Sequence, residues 1–407
     1  MHIGIVGPIA TADISHLIEG GVSGLPIGYH GAPLLATLIS ELLQRGHRVS
    51  AFTLSADIPL SQSEPVIVQG KNFSLSYSPM RPRAWRPNGL RLGRILDLYA
   101  YERAHMQRAI EKVAPDVVHA HWTYEFALAA LQTGLPHVVT CHDSPYAVAG
   151  FYSKEKPTRS LYRWLRVLMA RKVFSQATCL TAVSSYMKNE VQGMTPVPIV
   201  LVPNPVDGLA LALGKDRLAS LSPCIAMVCN GWQVLKNPQP ALKAFARVRN
   251  YHPSAELHMY GNDFGPGEQA EIWCIAMGMQ EGMFFHGAIP HKQLLEELSK
   301  VDVLLHSSLE ESFGLSIAEA MAMGLPVVAG ESSGAVPWVV GEGGILCDVR
   351  QELEICQAIK NVLVPENYAR HSKAARARVE LMFTVNKIAS AYLDAYKNAL
   401  ERATSLC

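Results

Sequence analysis

The chain has 407 residues, 49% of them hydrophobic, with 36 Lys/Arg, 35 Asp/Glu and a formal net charge of +1. This length and apolar content can bury substantial cores, argue against disorder and suit two domains better than one. The charge is uneven, because residues 1–200 carry 19 Lys/Arg and 13 Asp/Glu, a net of +6, which leaves −5 for the remainder. Near-neutral overall charge without a recognisable nucleic-acid module predicts that nucleic acid is not a partner.

The cysteines and the N-terminal residues indicate the cellular compartment in which the protein is expected. No C-x-x-C pair occurs, and a chain of this length needs no disulfide staples, so reduced thiols are expected. The eight cysteines are at positions 141, 179, 224, 229, 274, 347, 356 and 407. The chain starts directly with the apolar run MHIGIVG, and no window reaches eighteen uninterrupted apolar residues. We expect a cytoplasmic protein, soluble or at most peripheral at the inner face of the membrane.

The first half alternates predicted strands with predicted helices. The strands are expected at 2–6, 48–54, 116–120, 137–141 and 179–183. A glycine-bearing loop at 20–31 follows the first strand, and an amphipathic helix at 33–44 follows the loop. Ligands of open parallel sheets bind outside the carboxyl ends of the strands, so the backbone amides of this loop are expected to approach a phosphate or a sugar. A surface loop with incidental glycines is the alternative.

Two histidine-bearing segments end predicted strands. His119 and His121 lie at the end of one strand, and side-chain alternation is expected to direct one of them into the sheet and His121 toward the ligand. His142 and Asp143 follow the strand at 137–141. A zinc site built from these four residues has no suitable ligand spacing, so we expect no metal.

Two basic segments of the first half contain large apolar residues. Residues 80–94 hold five arginines and no acid, together with Trp85. Residues 161–174 read as a helix with cations among apolar side chains. Those cations are Arg163, Arg166, Arg171 and Lys172. These segments favour an anionic lipid surface or a pyrophosphate-linked acceptor, while a solvated loop and a helix packed on the sheet are the alternatives.

The second half repeats the strand–helix alternation after a turn-rich segment, PNPVDG, at 203–208. Its strands are expected at 224–229, 256–260, 283–285, 301–306, 326–329 and 344–347. The paired series predicts an α/β fold of two Rossmann-like, doubly wound domains, with residues 1–203 in the first and 204–384 in the second. Lys236 follows a strand of the second domain, where it suits a leaving diphosphate, although an exposed lysine needs no special role.

Residues 309–330, LEESFGLSIAEAMAMGLPVVAG, contain two carboxylates eight positions apart, Glu311 and Glu319. A helix is predicted at 316–323, so Glu311 lies in the loop before it and Glu319 within it, and both can face one ligand. Amides near Gly314 and the helix N-terminus can hold a diphosphate, and carboxylates can accept hydrogen bonds from hydroxyl pairs. The pattern suits a nucleotide sugar, whereas two glutamates alone are equally compatible with a helix-dipole role.

The run E-S-F-G-L-S-I-A-E followed by A-M-A-M-G-L-P-V-V resembles the signature of the group 1 (family 4) glycosyltransferases. These are retaining enzymes of the GT-B fold, in which two Rossmann-like domains face a central cleft. The resemblance covers nearly the whole chain, since VPNPVD is similar to the interdomain motif, with Pro205 in place of glycine. Residues 385–407 include the counterpart of the final helix, which crosses back to the N-terminal domain. The resemblance implies that the first domain binds the acceptor and the second the nucleotide sugar.

The resemblance also implies roles for single residues. Glu319 is expected to bind the ribose hydroxyls, and Glu311 and His121 are expected to contact the transferred sugar, with Lys236 at the diphosphate. Further donor contacts are expected from Gly31, Gly231, His286, Ser312, Phe313, Gly314 and Leu315. The acceptor side is assigned to Tyr29, His30, His142 and Asp143. Two positions depart from the family pattern, because Trp232 stands where an arginine is usual and Trp338 where a glutamate is usual.

The chain contains no D-x-D pair, which favours transfer without a metal ion. We expect a glycosyltransferase that moves a hexose-type sugar from a UDP- or GDP-sugar to an acceptor hydroxyl with retention, and that uses no cofactor. A lipid-linked or cell-surface glycan intermediate is the expected acceptor. A soluble small-molecule acceptor and a non-catalytic nucleotide-sugar-binding protein are the alternatives. A nucleotide-sugar epimerase of the same fold is disfavoured, because epimerases lack the E-x7-E run found here. A dehydrogenase is also disfavoured, because no G-x-G-x-x-G follows the opening strand of either half.

Overall fold

The computed structural model describes residues 1–29, 31–152 and 157–405. The chain divides into two compact units. Unit 1 consists of Met1–Pro205 together with the segment that begins at Val385, and unit 2 is Val206–Thr384. The division lies two residues beyond the boundary expected at 203/204.

Unit 1 contains an eight-stranded sheet in the order β3-β4-β2-β1-β5-β6-β7-β8. Its strands are β1 (His2–Val6), β2 (Arg48–Ser55), β3 (Val66–Gly70), β4 (Phe73–Pro79), β5 (Val117–His121), β6 (His137–Cys141), β7 (Leu180–Ala182) and β8 (Ile199–Leu201). All neighbouring strands are parallel except the edge pair of β3 and β4, which is antiparallel. The strands β3, β4 and β8 were not among those expected from the sequence.

Helices connect the strands of unit 1. They are a short 3-10 helix (Ser15–Leu17), α1 (Pro33–Gln44), α2 (Ala100–Val113), α3 (Glu125–Leu131), α4 (Pro145–Tyr152), α5 (Pro157–Gln176) and α6 (Ser185–Gln192). The bounds predicted for α1 are confirmed, and its inward face buries leucine and isoleucine side chains at helical spacing.

Unit 2 contains a six-stranded, entirely parallel sheet in the order β11-β10-β9-β12-β13-β14. Its strands are β9 (Cys224–Val228), β10 (Glu256–Tyr260), β11 (Met283–Gly287), β12 (Val303–His306), β13 (Val327–Gly330) and β14 (Gly344–Cys347). Its helices are α7 (Gly208–Ala212), α8 (Pro238–Val248), α9 (Gln269–Ala276), α10 (His291–Leu298), α11 (Leu315–Ala322), α12 (Val336–Val340), α13 (Glu352–Val362) and α14 (Pro365–Met382). The strands predicted in either half agree with the structure to within two residues at an end.

The last helix, α15 (Val385–Ser405), belongs to unit 1 and is held there by buried polar groups. The Tyr396 hydroxyl lies 2.8 Å from Nδ1 of His119 on β5, and the Thr140 hydroxyl of β6 donates to the Tyr392 hydroxyl at 3.4 Å. Arg45, at the end of α1, donates to the Asn386 carbonyl at 2.6 Å. Because buried polar groups require partners, these bonds fix α15 in one position on the sheet.

The arginine-rich segment at 80–94 is partly a structural element. Arg81 is only 1% exposed and forms ion pairs with Glu102 at 2.6 Å and with Asp97 at 2.7 Å. Arg94 donates to the Arg81 carbonyl at 2.6 Å. The expectation of a solvated or membrane-facing basic loop is therefore wrong for these two arginines, because acids outside the segment and backbone carbonyls occupy their guanidinium groups.

Substitution of Arg81 is expected to destabilise unit 1. Arg81→Met leaves the Glu102 carboxylate buried without its cation, so we expect a loss of about 3–5 kcal/mol in free energy of unfolding, measured by denaturant titration followed by circular dichroism. The matched control is Arg86→Gln in the same segment, an exposed arginine whose loss should change the free energy by less than about 0.5 kcal/mol. Equal effects of the two substitutions on the free energy of unfolding would contradict a stabilising role for the buried ion pairs of Arg81.

Candidate functional site

A charge cluster of unit 2 lies where two neighbouring parallel strands end. Lys236 follows β9 and Glu311 follows β12, and the pairing of these strands brings their carboxyl ends together. The Lys236 Nζ atom lies 2.7 Å from Glu311 Oε1, and His306 Nε2, at the end of β12, lies 3.5 Å from the same oxygen. The structure thus joins two residues that the sequence analysis predicted, and adds a histidine that it missed.

Glu311 is an ionised carboxylate in this environment. Burial by itself raises the pKa of its carboxyl group, but Lys236 and His306 outweigh burial and lower the pKa well below its usual range. His306 is 5% exposed, and its Nδ1 has no hydrogen-bond partner among the described residues. The position of His306 as the last residue of the strand before the two-glutamate motif was the available sequence signal.

The turn that carries Lys236 is fixed by hydrogen bonds on both sides. The Lys236 carbonyl accepts from the Ser307 hydroxyl at 2.8 Å. Asn237 has a φ of 47° and donates from its side chain to the Val349 carbonyl at 2.8 Å. Gly231, at φ 101°, donates its amide to the Asn262 carbonyl at 3.0 Å. The Gly231 amide is therefore used to hold this turn against the loop after β10.

Trp232, which replaces the usual arginine, is a packing residue. Its ring lies 5.6 Å from the Trp273 ring and 5.9 Å from the Phe264 ring, measured between centroids. Its backbone N–H donates to the Asp263 carboxylate at 2.9 Å. The indole thus lies against the core of unit 2, and Lys236 remains the cation of this turn.

The loop between Glu311 and α11 is shaped by a glycine and by aromatic packing. Gly314 caps α11 with a φ of 88°, a left-handed conformation that favours glycine. Phe313 is 2% exposed and packs edge-on against Phe383, with 5.2 Å between centroids. Trp338, which replaces the usual glutamate, completes this cluster at 5.6 Å from Phe383. Ser312 and Leu315 are half-buried on either side of the glycine turn.

Glu319 lies inside α11, as predicted, although the helix begins one residue earlier than expected. It is 3% exposed, and its Oε1 lies 2.7 Å from Nε2 of His291, the first residue of α10. His291 was not among the site residues expected from the sequence. His286 was expected to contact the donor, but it is exposed on β11 and pairs with His258 at 3.0 Å, whereas the partner of Glu319 is His291.

In unit 1, His119 and His121 point to the same side of the sheet. Their ring centroids are 4.0 Å apart, and both side chains are fully buried. The expectation that alternation separates them is wrong, because residues two apart on a strand share a face. His121 Nδ1 lies 2.9 Å from Nε2 of His142, and His121 Nε2 has no partner among the described residues.

Burial keeps these histidines neutral. It lowers the pKa of His119 and His121 well below the ordinary value, and it lowers the pKa of His142 to about 3. A neutral His121 with one nitrogen engaged by His142 can exchange a single hydrogen bond with a ligand hydroxyl through the other nitrogen.

In the loop after β1, backbone hydrogen-bonding groups are engaged by other backbone groups of the same loop. The Tyr29 amide donates to the Ile9 carbonyl at 2.9 Å, and a Cβ atom on Gly28 would lie 2.4 Å from that oxygen. The Tyr29 amide is therefore unavailable to a ligand, contrary to the expectation for this loop. Gly31 is exposed at φ 119° with open space around it, whereas His30 lies outside the described residues.

Asp143 is half-buried after β6 and accepts a hydrogen bond from the Tyr124 hydroxyl at 3.0 Å. Burial raises the pKa of its carboxyl group, and the neighbouring Arg166 partly opposes that rise. Asp143 and His142 thus lie beside each other at the carboxyl edge of the unit 1 sheet, where the sequence analysis placed an acceptor.

Two family models match this architecture along the chain. Residues 33–208 match the model described as Glycosyltransferase Family 4, and residues 222–364 match the one described as Glycosyl transferases group 1. The chain belongs to the group 1 (family 4) glycosyltransferases. It is accordingly a glycosyltransferase enzyme, as predicted.

Similar proteins agree with the family. Glycogen synthase of Mycobacterium tuberculosis is 27% identical over 296 residues, which are 69% of this chain and 68% of that enzyme. The N-acetyl-alpha-D-glucosaminyl L-malate synthase of Bacillus anthracis is 25% identical over 378 residues, 88% of this chain and 91% of that one. The solved sucrose-phosphate synthase of Thermosynechococcus elongatus superposes with a TM-score of 0.76 at 18% identity, covering 99% of this chain and 100% of that one. The predicted GT-B fold is confirmed.

The buried histidines make this glycosyltransferase sensitive to acid. The pKa of His142 is near 6.5 in the unfolded chain and about 3 in the folded one, so the unfolded chain binds more protons below pH 6.5 and stability falls as the pH falls. Between about pH 6.5 and 5, one such histidine costs about 2 kcal/mol of free energy of unfolding. His142→Gln should reduce the fall by about that amount in denaturant titrations at the two pH values. The exposed His16→Gln is the control, and a His142→Gln protein with the wild-type pH dependence would contradict the assignment.

Proposed function

We propose that the chain transfers a hexose-type sugar from a UDP- or GDP-sugar to an acceptor hydroxyl, with retention and without a metal ion. Unit 2 binds the nucleotide sugar and unit 1 binds the acceptor. The observation that carries the proposal is the Lys236–Glu311 pair beside the Gly314 turn. It combines an ammonium group, a carboxylate and a glycine-capped helix start within one loop cluster, which suits a diphosphate joined to a polyhydroxyl ring.

The proposed chemistry assigns one task to each group. Lys236 turns from Glu311 to the donor diphosphate and neutralises the charge that develops as the bond from the anomeric carbon to the phosphate oxygen breaks. The acceptor oxygen forms its bond to that carbon on the same face, and its proton passes to the leaving phosphate oxygen. Glu311 of unit 2 holds a hydroxyl of the transferred sugar, and Glu319 accepts hydrogen bonds from the ribose. His121 of unit 1 keeps its expected role of binding a sugar hydroxyl, through Nε2. No protein group acts as the general base.

Metal-independent transfer is supported by where the ligating groups lie. The sequence has no D-x-D pair. In the described part of the chain, Cys224, Glu256 and His258 alone form a group of three potential ligands, with ligand atoms within 4.8 Å of one another. This group lies toward the amino ends of β9 and β10, whereas Lys236 and Glu311 follow carboxyl ends of strands. Lys236 is therefore proposed as the counterion of the leaving group.

The two glutamates should separate binding from turnover. Removing the charged acceptor in Glu319→Ala costs hydrogen bonds of about 1.5–3 kcal/mol, so nucleoside diphosphate binding should weaken about 10- to 100-fold by calorimetry. Glu311→Gln should lower kcat about 100-fold with a smaller change in the donor KM. The assay follows hydrolysis and transfer across UDP-, GDP- and ADP-sugars. If the wild-type protein neither binds nor turns over any nucleotide sugar, the transferase proposal is refuted, and binding without turnover would support the non-catalytic alternative.

The acceptor is proposed to be a lipid-linked glycan presented at an anionic membrane surface. One face of α5 exposes Leu161, Trp164 and Leu168 at 52%, 45% and 52%. Arg171 and Lys172 continue this face and are exposed as well. The opposite face of α5 is buried, so packing against the rest of unit 1 explains that face only. The exposed face remains an apolar stripe with cations at one end, which suits a membrane surface.

The basic segment borders this stripe. Trp85 lies edge-on to Tyr162 of α5, with 6.5 Å between centroids. The same segment exposes Leu90 and Leu92, together with Arg83, Arg86 and Arg91. None of the helices in the described part of the chain is long and apolar enough to cross a membrane. Peripheral contact is therefore the mode proposed. A small soluble acceptor is the second candidate, favoured by the relative that is named for L-malate.

Vesicle binding distinguishes the two acceptors. We expect the protein to co-sediment with phosphatidylglycerol-containing vesicles at low salt, and less at high salt or with phosphatidylcholine alone. The triple variant Leu161→Ser/Trp164→Ser/Leu168→Ser should bind at least about tenfold more weakly, because each side chain contributes apolar area. Leu218→Ser/Leu221→Ser removes two exposed leucines of unit 2 and serves as the control. If the wild-type protein does not bind vesicles, or the triple variant binds equally well, the soluble acceptor is favoured.

A further inference from the structure

The carboxylate proposed to bind ribose has a protein partner on a different helix. Glu319 of α11 accepts a hydrogen bond at Oε1 from Nε2 of His291, the first residue of α10, at 2.7 Å. The Glu319 side chain is 4% exposed and that of His291 is 23% exposed. His291 is therefore the more solvent-accessible member of this pair.

This bond determines how the carboxylate can be used. An ionised carboxylate has acceptor positions on both oxygens, and a nearly buried one has to be held by donors. Among the described residues the Glu319 carboxylate has one hydrogen bond, the bond to His291. With Oε1 engaged and the side chain thereby held in one orientation, Oε2 is the oxygen that remains for a ligand hydroxyl.

His291 also links two parts of the proposed nucleotide site. It follows β11, the strand of His286 from which a donor contact is expected, after only three residues, 288–290. Glu319 belongs to the helix whose start is capped by Gly314, where the diphosphate is proposed to bind. A single side-chain contact thus relates the segment after β11 to the helix that carries the proposed ribose and phosphate contacts.

We propose that His291 is a positioning residue for ribose recognition, which rests on the proposed function. By holding Oε1 of Glu319, it directs Oε2 to a ribose hydroxyl and makes the chain discriminate ribonucleotides from their deoxy analogues. His291 does not touch the reacting atoms, so its removal changes donor affinity and sugar discrimination and leaves the chemical step nearly unchanged.

The experiment compares the ribonucleotide with its deoxy analogues. Calorimetry measures the Kd of UDP or GDP, whichever the wild-type protein binds, and of the matching 2′-deoxy and 3′-deoxy nucleoside diphosphates. We expect the wild-type protein to prefer the ribonucleotide about 10- to 100-fold over at least one analogue. In His291→Ala the preference should fall below about threefold, the donor KM should rise and kcat should stay within about threefold of wild type.

Two further substitutions of His291 distinguish the loss of its N–H donor from the loss of its side-chain volume. His291→Gln keeps an N–H donor at a similar reach, so it should recover most of the discrimination, whereas His291→Leu fills the space without a donor and should behave like His291→Ala. Lys292→Ala, an exposed neighbour on α10, controls for general effects at this helix start and should keep the wild-type preference. Circular dichroism and thermal unfolding verify that each variant is folded.

The outcomes separate this inference from the function on which it rests. If His291→Ala keeps the wild-type preference, or weakens ribose and deoxyribose nucleotides equally, the positioning role is overturned even when Glu319→Ala abolishes discrimination. If Glu319→Ala itself keeps full discrimination, the assignment of Glu319 to ribose fails first, and the inference falls with it. Loss of discrimination in both Ala variants together with recovery in His291→Gln supports the inference.

Discussion

The candidate donor site depends on a charged carboxylate that is kept largely out of water. Removing a carboxylate from water is costly, and the cost is offset only when a cation and hydrogen bonds lie close to it. Glu311 satisfies this condition through Lys236 and His306. The same pair holds the loop after β9 against the loop after β12, and the hydrogen bond from Ser307 to the Lys236 carbonyl supports that arrangement. The charges of the site and the conformation of its loops are therefore set together.

The two tryptophans that depart from the family pattern have a common physical explanation. Each is a large apolar ring that packs within unit 2, Trp232 against Trp273 and Trp338 beside Phe383. Neither ring can replace the charge of the residue usually found there. Trp338 instead supports Phe313, and with it the turn that leads into α11. Under the proposed function, polar recognition at this turn then rests on Lys236 and its partner Glu311.

Much of the fold could be predicted because parallel strands buried on both faces read as continuous apolar runs. β4 was missed because its sequence, FSLSYSP, alternates serine with apolar residues, and the burial of those serines depends on partners in other strands. Ser74 bonds Ser50 of β2 at 2.9 Å, a contact that no local pattern reveals.

The motif placed Glu311 and Glu319 correctly in loop and helix, since that required only spacing and helix signals. The position of His306 at the end of the preceding strand was a signal, but its contact with Glu311 and that of His291 with Glu319 could not be inferred, because side-chain contacts across elements depend on tertiary geometry. The same reason explains Arg81, whose partner Glu102 lies 21 residues away on α2. The error at His119 and His121 was of another kind, since strand periodicity already places residues two apart on one face.

The attachment of α15 to unit 1 has a consequence for synthesis on the ribosome. Unit 2 is one continuous stretch, Val206–Thr384, and all of its strands have left the ribosome before the last helix is made. Unit 1 is discontinuous, because α15 completes it: the Tyr396 hydroxyl bonds Nδ1 of His119, and the Tyr392 hydroxyl accepts from Thr140. The sheet of unit 1 therefore lacks the hydroxyl that bonds Nδ1 of His119 until α15, which follows unit 2 in the sequence, has been synthesised. The part of the protein that is made first is the part that is completed last.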